Sequence, residues 1–430
     1  MALDPTWVSS LKEKIQTNRQ ILKESAGSIS CSIYRVPHGF RKANEEAYTP
    51  QIVSVGPFHH GKQMLKAMEE HKYRYLHEVI SRAGDNGLEI YLMAIKELEQ
   101  LARECYSETI NLNSTEFVEM MVVDGCFILE LLRKGVSLSD ITNDPIFTLL
   151  WLKPKLKSDL LLLENQIPFF VLERLFDLMD FSLQPSVSLR SIILDFFEGM
   201  LPRGPISLKE NLNSNTKTNH EIQHLLHLFH SSHLPDIPGT VIPHEQLQLT
   251  CAIKLQQAGV MFKASNANSF LDIKFRKGVL RIPPLFIGDL FNPLLLNLIA
   301  FEQCYSHCSN HVTAYTTFMN YLINSAEDVE ILCHNKIIYN GLGSDAEVAD
   351  LFSKLGRDVV CNPNDFYLFD VFEGLDLYYR TPWHAWRANL MHSYFSNPWA
   401  IISLIGVVIL LILTFIQTFF AAFSYFRPPS

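Results

Sequence analysis

Positive charge is what this chain is short of: 36 Lys and Arg stand against 45 Asp and Glu in 430 residues, a formal net charge of −9. A protein that grips a phosphate backbone needs the opposite balance, so nucleic acid is excluded as a partner. Clustered cysteine is lacking too. The eight cysteines, at 31, 105, 126, 251, 304, 308, 333 and 361, are scattered. That is no disulfide framework, and reduced thiols are expected. The N-terminus, MALDPTWVSSLKEKIQ, brings Asp4 early and never develops the apolar stretch of about 7–15 residues that a secretory leader needs. No segment repeats at a fixed period. Neither G-x-S-x-G nor a helix-borne cysteine with a histidine partner recognisable in sequence is present, so nucleophilic catalysis has no positive sign.

What the chain does have is a long apolar end. From Trp399 to Phe426, WAIISLIGVVILLILTFIQTFFAAFSYF carries no charge. A hydrocarbon core about 30 Å thick takes roughly 20 such residues as a helix, so one C-terminal transmembrane helix is expected over 398–426. Asn397-Pro398 reads as its N-cap and first position. Trp399, Tyr425 and Arg427 read as interfacial anchors. Trp383, Trp386, Tyr394 and Phe395 are expected to seat the body at the surface. The lipid bilayer is thus a partner. Arg380 and Arg387 before the span against Arg427 after it favour a tail-anchored, single-pass protein with a cytosolic body, at the plasma membrane or an endomembrane. Asn113 of the sequon Asn113-Ser114-Thr115 is then expected to be unglycosylated.

Helical periodicity governs the rest. Residues 64–82, 88–106, 116–133, 158–178, 186–201, 244–259, 293–306, 309–332 and 345–355 repeat apolar side chains at helical spacing, and 6–24 does so more weakly. Strand candidates are short: Ser32–Val36, Gln51–Val55, and Phe270–Phe275 with Gly278–Ile282 around Arg276-Lys277. The expected fold is mainly α, a multi-helix globular body with a small β element and the transmembrane helix. Polar stretches at 203–219 and 231–243, flanking the amphipathic HEIQHLLHLFH, suggest a division. The units are an N-terminal amphipathic helix at 1–30, a helical lobe with short strands at 31–202, loops with a short helix at 203–243, a second helical lobe at 244–395, and the span.

The ordered blocks IYRVP at 33–37, YTPQIVSVGPFHHGK at 48–62, MEEHKYRYL at 68–76, MMVVDGCFILELL at 120–132, DLLLLENQIPFFVLERL at 159–175, LRIPPLFIGD at 280–289, NLIAFEQC at 297–304, EVADLFSKL at 347–355 and NPWAIISLI at 397–405 resemble the plant family known as domain of unknown function 247, or uncharacterised protein family 0481. The resemblance runs from Ile33 to Phe420. It implies a mainly helical, plant-restricted membrane protein of a family linked to pollen recognition at self-incompatibility loci, and it implies no catalytic residue set.

Several constellations invite chemistry. Gly56-Pro-Phe-His-His-Gly-Lys-Gln63 is one residue short of a phosphate-binding P-loop. Gln63 replaces the hydroxyl that ligates Mg²⁺ and Pro57 removes an amide, so a structural turn is the better reading. Asp124 falls on the apolar stripe of Phe117, Met120, Met121, Ile128 and Leu131, and Glu164 on that of Leu160, Leu163, Ile167 and Val171. A buried carboxylate must be paired or neutralised. These two are read as members of an internal network whose cations come from His59, His60, Lys62, His71 or Lys72. The competing reading is a membrane-bound enzyme with the carboxylates as acid and base beside the His-His pair. His220, His224 and His227 are read as a solvated helix face, and Cys304, His307, Cys308 and His311 as ordinary helix. No metal or cofactor is implied. The reading is a membrane-anchored interaction, signalling or recognition module with a protein partner of open identity and stoichiometry. An exposed recognition determinant of reversed topology is the other alternative.

Overall fold

A helix apolar on every side belongs in the middle of a protein, and Ser114–Val136 is that helix: from Met120 to Leu132 each residue is buried. In this computed structural model the described residues are 6, 8–15, 31–84, 86–136, 144–179, 188–201, 221–235, 250–267, 269–356, 359–360, 366–382 and 398–426. Besides the short helices His38–Ala43, Pro145–Thr148 and Ala252–Gln257, the helices are α1 Lys66–Ala83, α2 Gly87–Glu104, α3 Ser114–Val136, α4 Leu152–Leu160, α5 Phe169–Leu178, α6 Leu189–Phe196 and α7 Leu225–Ser231. After the strands and short turns come α8 Phe291–Cys304, α9 His311–Leu322, α10 Ala326–His334, α11 Asp345–Leu355, α12 Phe369–Arg380 and α13 Pro398–Phe426.

Asn113 starts the central helix. Its Oδ1 accepts from the Glu116 amide at 2.9 Å while the Glu116 carboxylate accepts from the Asn113 amide at 3.0 Å, a reciprocal cap that satisfies two end groups. Helices α1, α2, α5 and α6 pack around α3. Gly125 lets α5 approach, since a Cβ there would collide with Leu175. Helix α8 carries a second layer of helices, α9, α10 and α11, and reaches back to touch residues 46–48. One continuous set of buried apolar side chains extends from Ile33 to Leu375.

The β element has two parts. Strands β1 Met261–Ala264, β2 Lys274–Arg276 and β3 Val279–Ile282 form a sheet in the order β1-β3-β2. Strands β2 and β3 are antiparallel, with Phe275 opposite Leu280, and β1 runs parallel to β3. Lys277 and Gly278, both at positive φ, make the hairpin turn. Strands β4 Leu285–Ile287 and β5 Ile338–Asn340 pair in parallel.

Several expectations are corrected. The stretch 158–178 is two helices, because residues 161–168 leave helical geometry before Pro168 opens α5. Likewise 309–332 breaks at Ser325, whose side chain and Asp328 form a capping box that starts α10. Ile33 makes only a single bridge, to Tyr106, and Gln51–Val55 is extended without a strand partner. Most of 6–24 and of the polar stretches 203–219 and 231–243 lies outside the described residues.

The largest correction concerns the membrane. Among the described residues no helix is long and apolar enough to cross one. The expected span falls on helix α13, Pro398–Phe426. The transmembrane helix is therefore unsupported, and with it the single-pass, tail-anchored arrangement, the membrane localisation with a cytosolic body, and the anchoring roles of Trp399, Tyr425 and Arg427. Arg427 lies outside the described residues, as do Trp383, Trp386, Tyr394 and Phe395.

Candidate functional site

Residues 31–62 have no strand pairing beyond one bridge, apart from the short helix His38–Ala43 and the turn Glu46–Tyr48, yet 31–33, 47–48 and 53–56 are buried, so their amides need acceptors from elsewhere. The chain supplies them from 159–166 and from α3, while α8 donates to one of the segment's carbonyls. At the end of α4, Asp159 accepts from the amides of Gln51, Ile52 and Val53, the last two at 2.6 and 2.9 Å. Asn165 accepts from the Val55 amide at 2.7 Å and donates to the carbonyls of Val53 and Asp159. Gln166 donates to the Leu160 and Leu162 carbonyls and accepts from the Leu226 amide, tying the loop to α7. From α8, Asn297 accepts from the Leu163 amide and donates to the Ala47 carbonyl.

Glu164 binds the densest group. It accepts from the Val36 amide at 2.8 Å, from Arg41 at 2.5 Å and from Arg35 at 3.1 Å. His59 Nε2 stands 3.3 Å from the same carboxylate, within ion-pair reach but without hydrogen-bond alignment, and His59 Nδ1 has no partner. Burial alone would raise the Glu164 carboxyl, but His59, Arg41 and the Val36 amide outweigh it and hold it at about 2. Burial lowers His59, against the pull of Glu164, and keeps the imidazole neutral. Asp159 is the reverse case: burial outweighs its three amides and pushes it up to about 6.

Asp124 faces a different cation. Lys72, fully buried, donates to it at 2.6 Å, and the Gly56 amide does so at 2.8 Å. Lys72 also meets Glu69 at 2.7 Å. Burial works against the ammonium, and Asp124 and Glu69 more than compensate, raising Lys72 above its ordinary value. Gly56 sits at φ +73°, and a Cβ there would collide with the Gln166 carbonyl oxygen. Only glycine fits that approach.

The two carboxylates thus take separate cations and grip opposite parts of one irregular strap. Of the expected cations only His59 and Lys72 approach them. His60 and Lys62 are exposed, and His71 Nδ1 has no partner. Arg35 and Arg41, which the sequence reading did not single out, do the work at Glu164, along with Asp159, Asn165 and Asn297 elsewhere. A cavity of about 230 Å³ lies apart from both carboxylates, lined by Arg82, Tyr91, Glu130, Arg133, Leu178 and Met179 among others. Proton transfer calls for groups that titrate near the working pH. A carboxylate at about 2 beside a neutral, buried imidazole is poorly suited to it.

The family pattern of DUF247, described as a plant protein of unknown function, matches residues 33–413. The chain belongs to this family. It is 34% identical over 432 residues to the UPF0481 protein At3g47200 of Arabidopsis thaliana, covering 94% of this chain and 89% of the relative. It is 22% identical over 518 residues to the putative UPF0481 protein At3g02645 of the same plant, covering 98% and 95%. No solved structure matches. The resemblance read from the blocks at 33–37, 48–62 and 159–175 was therefore to the right family.

In this DUF247 chain the remaining constellations resolve individually. Gly56 and Gly61 both adopt positive φ in successive turns, and Lys62 is exposed, its ammonium lowered by partial burial and by Arg35 and Arg41. The histidines near α7 form no solvated face. His224 is the N-cap, accepting from the His227 amide, with Nε2 3.2 Å from the Ser32 carbonyl. His227 is buried beneath it, and His220 lies outside the described residues. The set Cys304, His307, Cys308 and His311 diverges: His311 stacks on Tyr367, His307 meets Tyr305 edge-on, and Cys308 turns to His230. Among the described residues no three His, Cys, Asp or Glu side chains converge as metal ligands.

Proposed function

We propose that the chain is a non-catalytic protein-interaction module whose anchor is the turn Leu149-Leu150-Trp151. The observation that supports it is exposure: 44%, 91% and 60% for three consecutive large apolar side chains. Single exposed apolar residues are ordinary, whereas a run of three containing Trp has the composition of a binding hot spot. The turn stands on a rigid base. Asp144 caps the preceding short helix through the Ile146 amide at 3.0 Å and is held by Lys134 at 2.8 Å and Arg74 at 3.0 Å. Anchors held in place before binding lose less entropy on docking.

Charge beside the turn favours an acidic partner surface. Lys153 and Lys157 follow it one helical turn apart, and Lys157 is pushed down to about 8, by burial first and by Lys153 second. A partner carboxylate would relieve that repulsion. The test is quantitative proximity labelling by the full chain in plant tissue, comparing wild type with Trp151→Ser and Lys153→Glu, each checked for an unchanged Tm. The expected result is a set of proteins that both variants lose, since truncating a hot spot costs about 2 kcal/mol or more, roughly 30-fold in affinity. Equal labelling of the same proteins by wild type and both variants would overturn the proposal.

A further inference from the structure

His230, Glu302 and Cys308 form a group that the interaction reading leaves unused. His230 lies near the end of α7 with its side chain wholly buried, and its Nε2 is 2.6 Å from Glu302 Oε1. Glu302 is itself immobilised. Its Oε1 accepts from the Val312 amide at 2.8 Å and its Oε2 from the Thr313 amide at 2.7 Å, capping α9. The edge of the Phe301 ring packs against the imidazole. Cys308 Sγ stands 3.6 Å from His230 Nδ1 and 3.8 Å from Nε2. Near-equal distances mean that the sulfur is not in line with one N–H. Burial would lower His230, but Cys308 and Glu302 outweigh it and push it up to about 10. Of the other groups around it, burial takes His224 down to about 3 and raises Tyr305, and His227 and Tyr305 complete the aromatic wall.

We propose that Cys308 is a nucleophilic thiol and a modification site for small hydroperoxides, with the His230 imidazolium beside its sulfur. The thiol gives its proton to water, and the sulfur lone pair attacks a peroxide oxygen. An S–O bond forms as the O–O bond breaks. The departing hydroxide or alkoxide takes the His230 proton and leaves as water or alcohol, and His230 regains a proton from water. Sulfur is oxidised by two electrons to a sulfenic acid and the peroxide is reduced. Cys308 suits this because it is half-buried and its sulfur stands beside the His230 ring.

Cys251, Cys304 and Cys333 are also half-buried and serve as internal controls. Burial pushes Cys304, four residues earlier at the end of α8, up to about 11. The experiment treats the full chain at pH 7 with hydrogen peroxide, traps sulfenic acid with dimedone and maps each cysteine by mass spectrometry over time. Cys308 is expected to label at least tenfold faster than the three controls, and His230→Gln to remove that advantage. The proposal is overturned if Cys308 labels no faster than the controls in wild type, or if a folded His230→Gln variant keeps the wild-type rate. Should His230→Gln fail to fold, the wild-type order decides alone.

Discussion

Removing the Asp124 carboxylate tests whether the buried charges hold the fold. In Asp124→Ala, Lys72 remains fully buried and loses its 2.6 Å partner, and the Gly56 amide loses its acceptor. Breaking a buried ion pair from one side costs about 3–5 kcal/mol, and an orphaned buried amide about 1–3 kcal/mol. Glu69 still reaches Lys72 at 2.7 Å and is partly exposed, so the lower part of that combined range applies, about 4 kcal/mol. Unfolding entropy of about 2.1 cal/mol/K per residue gives about 0.9 kcal/mol/K for 430 residues, hence a fall in Tm of about 4–5 °C. Differential scanning calorimetry at pH 7 reads it directly. The double variant Lys72→Met/Asp124→Leu strands no charge, so it should recover about half of the loss. An Asp124→Ala chain within 1 °C of wild type, or a double variant no more stable than the single, would refute the reasoning.

Three further outcomes follow from the same strap. Glu164 is held at about 2 against an ordinary 4.5, so its contribution is complete above pH 4.5 and is lost as pH falls toward 2. Urea midpoints measured between pH 7 and 3 should drop for wild type and flatten in Glu164→Gln. Asp159, raised to about 6, acts oppositely and weakens the fold as pH rises from 3.8 through 6, so Asp159→Asn should cost less stability at pH 7 than at pH 4. Gly56→Ala meets both a φ of +73° and the Gln166 carbonyl. It should lower Tm by several degrees, where Gly61→Ala, with nothing near its Cβ, pays the backbone strain alone and loses less.

The long helices were legible because their burial is periodic: Met68, Tyr75 and Val79 of α1 and Tyr91 and Ile95 of α2 recur at helical spacing and are buried. The breaks were written in the sequence less plainly. Ser325-Ala-Glu-Asp328 is a capping-box pattern that could have divided 309–332, and Pro168 restricts the residue before it, which could have divided 158–178. Glu164 was legible as a buried carboxylate, but its true partners were not. Arg35 and Arg41 lie more than 120 residues away along the chain, and nothing local marks them. The α7 histidines misled for a related reason. A polar face at i, i+4 and i+7 looks solvated until Ser32 arrives at His224, and Phe301 and Tyr305 at His227, from distant segments.

The strap also explains why so many charges are buried. An irregular segment inside a protein has no ladder to satisfy its amides, so side chains must substitute for a neighbouring strand. Asp159 does this from the end of α4 and Glu164 and Asn165 from the loop that follows, and Gln166 and Asn297 join that loop to α7 and α8. Asp124, on α3, accepts from the strap as well, through the Gly56 amide. The groups with uncommitted valence lie elsewhere, in the bare apolar turn at Leu150 and Trp151 and in the half-buried sulfur of Cys308. Function is to be sought at those two places.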